Sequence, residues 1–127
     1  MKPHLAQMKV YLEDTDAIGI VYHANYLKYM ERSRSDILEE FSGQLQGRQF
    51  VVHEMQIKFI RPARLGDRVE VSTTARRASD YRITFQQKVF LAQGEVQLVN
   101  AEVQVTCVDP EGNLTEVPDG ILSGLDG

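Results

Sequence analysis

The spacing of apolar residues changes character along this chain. Met8 to Leu12 is a short apolar-rich stretch that reads as a first strand, and Asp14 to Gly19 behind it are turn formers. From Ala24 to Phe41, Leu27, Met30, Ile37, Leu38 and Phe41 recur at helical intervals, with Arg34 in the same series. That recurrence predicts a helix with one mainly apolar stripe. Lys28, Glu31, Arg32, Ser35, Asp36, Glu39 and Glu40 fall mostly on its other side, where Arg32 and Asp36 are spaced to pair. Asn25 is the expected N-cap, its side-chain oxygen accepting from an amide of the first turn. Ser42-Gly43 is the expected stop.

After a polar stretch from Gln44 to Gln49, apolar and polar residues alternate. His53, Met55, Ile57 and Phe59 share one strand face, with Glu54, Gln56 and Lys58 opposite. The segment Arg61-Pro62-Ala63-Arg64-Leu65-Gly66-Asp67 interrupts, because proline cannot donate to a ladder. Val69, Val71, Thr73 and Ala75 form the next series, then Tyr81, Ile83, Phe85, Gln87, Val89 and Leu91, then Val99, Ala101, Val103, Val105 and Cys107. Asp109 to Asn113 is a turn. One helix ahead of several strands joined by short turns predicts an α+β domain with an antiparallel sheet, on which the helix buries its stripe. With no repeat, low-complexity tract or linker, one domain over 1–127 is expected, with 121–127 as a loose tail.

Composition narrows the function. The chain is 43% hydrophobic and 25% charged, ordinary for a globular protein. A formal net charge of −4 argues against a general nucleic-acid binder. No apolar run suits a membrane-spanning helix and the N-terminus has no secretory core, so a cytoplasmic protein without membrane insertion is expected. The single cysteine, Cys107, excludes an internal disulfide and sits on an apolar strand face, where a buried structural role fits best.

The chemistry concentrates between Tyr11 and Arg34. Asp14 and Asp16 lie in a loop ahead of a helix, and His23 stands at the helix start. There the first amides lack intrahelical partners and the macrodipole is positive, a setting that stabilises an oxyanion. Asp-Thr-Asp before a helix also serves turn and capping roles, so both readings stand on these residues alone. A calcium loop fails: Asp14, Asp16 and Gly19 fit its first, third and sixth positions, but Ile18 and Asn25 occupy the fifth and twelfth. His4, His23 and His53 have no metal-ligand spacing, and there is no nucleophile elbow, phosphate loop or dinucleotide fingerprint. A basic group, Arg76, Arg77 and Arg82 with Arg61 and Arg64, suits phosphate, since the guanidinium donates paired hydrogen bonds.

The segments Glu13-Asp14-Thr15-Asp16, Gly19-Ile20-Val21-Tyr22-His23-Ala24-Asn25-Tyr26 and Glu31-Arg32-Ser33-Arg34, with the later Phe59-Ile60-Arg61-Pro62-Ala63-Arg64-Leu65-Gly66-Asp67, resemble the signature of the 4-hydroxybenzoyl-CoA thioesterase-type hotdog family. They are most similar to its Tol-Pal-associated bacterial acyl-CoA thioesterase branch. The resemblance implies a long helix wrapped by a five- or six-stranded antiparallel sheet, and homodimers or homotetramers with active sites between subunits. It implies an acyl-CoA substrate, Asp16 as the catalytic carboxylate supported by His23, and a backbone amide near His23 on the thioester oxygen. Gly19, Tyr22 and Asn25 would line the substrate, and Arg76, Arg77 and Arg82 are the candidates for the CoA phosphates.

A thioester's leaving thiol, with a pKa near 8.5, departs without strong acid help. A carboxylate that attacks or activates water, with donors for the oxyanion, is therefore sufficient, and no metal or redox cofactor is called for. The alternatives are a hotdog hydratase or dehydratase and a non-catalytic acyl-thioester binding or adaptor module.

Overall fold

In the computed structural model, which describes residues 2–121, the alternating segments become five antiparallel strands. They are β1 (His4–Lys9), β2 (Gln49–Phe59), β3 (Arg68–Ser79), β4 (Arg82–Leu91) and β5 (Gln97–Val108), in the order β1-β3-β4-β5-β2. Helix α1 (Asn25–Glu39) packs on the buried face of the sheet, followed by the short α2 (Ser42–Leu45). This is the hotdog arrangement, α+β, with five strands.

The period-two series hold well. Val69, Val71, Ala75, Ile83, Phe85, Val89, Val99, Ala101, Val103, Val105 and Cys107 are all buried, and Tyr26, Tyr29, Met30 and Ile37 of α1 pack over them. Fully burying one such aliphatic side chain contributes about 1.5–3 kcal/mol.

The differences from the sequence reading have local causes. The first strand lies earlier than Met8–Leu12. His4 to Lys9 pair with Thr73 to Arg68, while Leu12–Asp14 close a 3-10 turn. His53 does not share the inward face of β2. The register shifts between Val52 and Glu54, so His53 is an exposed extra residue, a bulge. Phe50 and Val52 on one side of it, and Met55, Ile57 and Phe59 on the other, therefore all face the inward row of β5.

Helix α1 ends at Glu39, short of the expected stop, and the chain runs on through Ser42-Gly43. It turns once more through α2 and reverses at Gln46 and Gly47, whose φ angles are 53° and 82°. Arg32 and Asp36 form no ion pair; among the described residues the one ion pair joins Arg77 to Asp80. Of the expected loose tail, Ile121 is buried in the core, and 122–127 lie outside the described residues.

Arg34 stood in the apolar stripe because it is in the core. Its guanidinium donates to Gln87 Oε1 at 2.9 Å, and Gln87 Nε2 donates to the Met30 carbonyl at 2.9 Å and to Thr73 Oγ1 at 3.0 Å. This polar belt separates one apolar cluster around Tyr26 and Met30 from another around Ile37 and Phe85. Burial lowers the Arg34 pKa from its ordinary value, and the Glu31 carboxylate acts against that.

Candidate active site

The acidic segment folds back on itself. Asp14 Oδ2 accepts the Tyr11 amide at 2.9 Å, closing the 3-10 turn. Thr15 then bridges to Val21, the Asp16 amide donates to the Ile20 carbonyl at 2.9 Å, and the Gly19 amide returns to the Asp16 carbonyl at 3.1 Å. Asp16 therefore opens a four-residue turn that ends on Gly19, whose φ of 83° disfavours any residue with a Cβ. One oxygen of the Asp16 carboxylate, Oδ1, accepts the Ile18 amide at 2.9 Å. Among the described residues nothing bonds the other, Oδ2.

The two sequence motifs meet here. Ile20 bridges to Arg64, the Val21 amide donates to the Ala63 carbonyl at 2.9 Å, and the Ala63 amide donates to the Tyr26 hydroxyl at 2.9 Å. The proline-containing loop after β2 is thus the floor under the acidic turn.

Helix α1 begins just beyond. Its first turn is tight: the amides of Asn25, Tyr26 and Leu27 bond the carbonyls of Tyr22, His23 and Ala24 at 2.8, 3.3 and 3.2 Å. Asn25 is not the N-cap. The backbone of Ala24 is already helical, so Asn25 is the first residue inside the helix and no side chain caps it. Its Nδ2 donates instead to the Asp14 carbonyl at 2.8 Å. The amides of His23 and Ala24 donate to no carbonyl among the described residues, which leaves two N–H groups at the positive end of the helix.

A cleft of about 220 Å³ opens beside this point, lined by Ile20, Val21, His23, Tyr26, Phe59 and Arg61. The His23 ring stands edge-on to Phe59 at 5.9 Å and next to Tyr22 at 4.5 Å. Larger hollows lie elsewhere: about 360 Å³ on the polar convex face by Gln56 and Gln86, and about 370 Å³ by Arg68 and Leu91. Neither adjoins His23, so size alone does not choose the site.

The structure thus brings Asp16, Gly19, Tyr22, His23 and Asn25 into one hairpin and helix start. It does not bring Arg76, Arg77 and Arg82 to them within one chain. Arg82 pairs with Thr106 while Phe59 pairs with Val99, so the two groups are roughly 23 Å apart along β5. Arg77 is also engaged by Asp80. Arg61 stands at the cleft, and Arg64 is held against Ile20. Sequence reasoning missed Phe59 and Tyr26 as cleft walls. Phe59 stands in the apolar series of its strand and Tyr26 only in the quoted motif, and only packing shows that the core is open at that end. Among the described residues no cluster of three His, Cys, Asp or Glu could hold a metal ion, and no helix is long and apolar enough to cross a membrane.

Two buried phenols back the site. Burial raises the pKa of Tyr26 and of Tyr29. The Ala63 hydrogen bond acts against this at Tyr26, whereas the Asp14 carboxylate beside Tyr29 adds to it. The Tyr29 hydroxyl nonetheless has no partner within hydrogen-bonding geometry among the described residues. A phenol whose pKa rises on folding stabilises the folded state below the unfolded value and loses that contribution as pH climbs past it. We therefore expect thermal melting to hold steady to about pH 10 and to fall above it. Tyr29→Phe should melt within a few degrees of the parent at pH 8 and show a shallower alkaline fall. An equally steep fall in that variant would count against Tyr29 as a source.

Comparison with known proteins gives a consistent result. The family model described as "Thioesterase superfamily" matches residues 18–98. The chain is 40% identical over 108 residues to an "Acyl-CoA thioester hydrolase YbgC" of Escherichia coli O6:H1, covering 81% of this chain and 80% of that protein. It is 29% identical over 107 residues to a "1,4-dihydroxy-2-naphthoyl-CoA hydrolase" of Microcystis aeruginosa, covering 80% and 76%. A probable thioesterase from Bartonella henselae superposes with a TM-score of 0.82 at 35% identity, over 93% of this chain and 100% of that one.

Proposed function

The chain belongs to the thioesterase superfamily, and we propose that this thioester hydrolase cleaves acyl-CoA with Asp16 as its reacting carboxylate. The observation that carries the assignment is the turn that holds Asp16. It fixes Oδ1 on the Ile18 amide, leaves Oδ2 unbonded, and is tied through Ile20 to the cleft that His23 lines. The thioester carbonyl binds with its oxygen toward the free amides of His23 and Ala24. As the carbonyl carbon becomes tetrahedral, charge grows on that oxygen where N–H groups and the helix dipole already point.

Asp16 either adds to the carbonyl carbon, giving a mixed anhydride that water opens, or takes a proton from an attacking water. In both cases the C–S bond breaks, the CoA thiolate leaves and is protonated, and the free acid forms. The His23 ring, held between Tyr22 and Phe59, orients the carboxylate or the water. Gly19 and the exposed Tyr22 form the mouth.

The working unit is a dimer joined at β2. That strand is a sheet edge of eleven residues on which Val51 is 50% and Phe59 48% exposed, and a long apolar edge left bare invites uncontrolled pairing. Antiparallel pairing of two β2 strands sets the Phe59 end of one beside the Phe50 end of the other. Each cleft then meets the partner's groove of about 360 Å³ between Leu38, Leu45 and Phe50, which lengthens the acyl pocket. The same two-fold turns the partner's basic hairpin, with Arg76, Arg77 and Arg82, toward the cleft's end of the sheet. The arginines thus serve the CoA phosphates across the interface, not within one chain. Two dimers can pair further into a tetramer, and the work belongs in the cytoplasm.

Thiol release from a panel of acyl-CoAs, from short through long chains and including an aromatic one, tests the reading. Saturable release with a clear optimum is expected. Hydrated or dehydrated acyl product without free thiol, or binding without turnover across the panel, would overturn it.

A further inference from the structure

We propose that Asn25 is a positioning residue that sets the spacing between the Asp16 turn and the free amides of the helix, and that it does not contact substrate; this rests on the assignment of Asp16 above. The Asp14 carbonyl receives two hydrogen bonds, from the Tyr22 amide at 2.9 Å and from Asn25 Nδ2 at 2.8 Å. Tyr22 ends the hairpin that carries Asp16, and Asn25 begins the helix that presents the His23 amide. One carbonyl therefore clamps the acidic turn to the helix start.

Beside it, the Asn25 amide bonds the Tyr22 carbonyl along the chain at 2.8 Å, and a longer link runs through the floor loop by way of Val21, Ala63 and Tyr26. The Asn25–Asp14 bond is the direct side-chain tie, and it spans eleven positions of chain. Both reacting groups act on the same carbonyl carbon, one attacking it and one holding its oxygen, so a shift of about an ångström between them is enough to cost 100-fold. The Asn25 side chain is anchored through Nδ2 to the backbone of the acidic turn.

The bond is made by a backbone oxygen of Asp14, which gives an asymmetric test. Asn25→Ala and Asn25→Asp both lose the donor. The aspartate keeps the shape and, as an acid in the first turn, favours the helix itself, so it serves as the folded control for the alanine. Both are expected to lower kcat by about 10- to 100-fold with KM held within about twofold. Amide hydrogen exchange across 14–23 should quicken in both, with melting shifted by only a few degrees. Asp14→Asn leaves the carbonyl in place and should keep its kcat.

A rise in KM with kcat preserved would overturn the proposal in favour of direct substrate contact. So would unchanged kinetics, or an Asp14→Asn variant as impaired as Asn25→Ala. Asp16→Ala assayed alongside separates the two readings. If that variant turns over normally, the catalytic assignment has failed. If it is inactive while the Asn25 variants are normal, only the clamp has.

Discussion

Asp16→Ala is expected to lower the turnover number for acyl-CoA by at least about 100-fold, the scale of a lost general base or nucleophile. The fold should survive. The turn keeps its backbone bonds from Asp16 to Ile20 and from Gly19 to Asp16, and losing the Oδ1 bond to Ile18 costs about 1 kcal/mol. Because the carboxylate acts on a bond being made, kcat and kcat/KM should fall together, with little change in substrate binding. Asp16→Asn sharpens the point. It can keep the Ile18 bond and the shape of the turn, yet it neither attacks nor takes a proton, so it should be as inactive as the alanine. The assay is release of free thiol under saturating substrate, with circular dichroism to certify folding. Near-normal turnover in either variant would sink the assignment.

The second large effect concerns stability. Gln87→Leu should destabilise the folded protein by about 3–5 kcal/mol, because it leaves the Arg34 guanidinium buried with its amide partner gone. It also removes the donor to Met30 and Thr73. Arg34→Met alone should cost less, since the group then left unpaired in the core is the neutral Gln87 amide oxygen and not a charge. The double variant Arg34→Met/Gln87→Leu should recover much of the loss, as an apolar replacement of a buried polar pair often does. Urea denaturation at a fixed protein concentration would read all three. An unfolding free energy for Gln87→Leu that differs from the parent by less than about 1 kcal/mol would show that the guanidinium finds water.

Much of the fold is legible in the amino-acid sequence. The alternation of Val69 to Ala75, Ile83 to Val89 and Val99 to Cys107 maps onto buried rows, because a strand's side-chain period of two ties sequence spacing to sheet face. The helix followed from its stripe for the same kind of reason. Arg34 was visible in that stripe but not explained, since a charged residue at a core position has meaning only once Gln87, far along the chain, is seen opposite it. The bulge at His53 was hidden because an inserted residue changes pairing without changing composition.

The acidic loop divides the same way. Sequence supplied the residues Asp14, Asp16, Gly19, His23 and Asn25, the order that puts them ahead of a helix, and the resemblance that gave Asp16 its expected role. Tertiary structure decided which atom of each is free. The Asp14 carboxylate accepts the Tyr11 amide, Asn25 Nδ2 donates to the Asp14 backbone carbonyl, and Asp16 commits only one carboxylate oxygen. It also decided that the floor is the distant loop at Ala63, and that Arg82 lies at the far end of the sheet. Local pattern encodes which face a residue takes, because backbone periodicity is a property of neighbours. Which hydrogen bond a side chain makes, and what stands across from it, depends on contacts between segments that no local spacing contains.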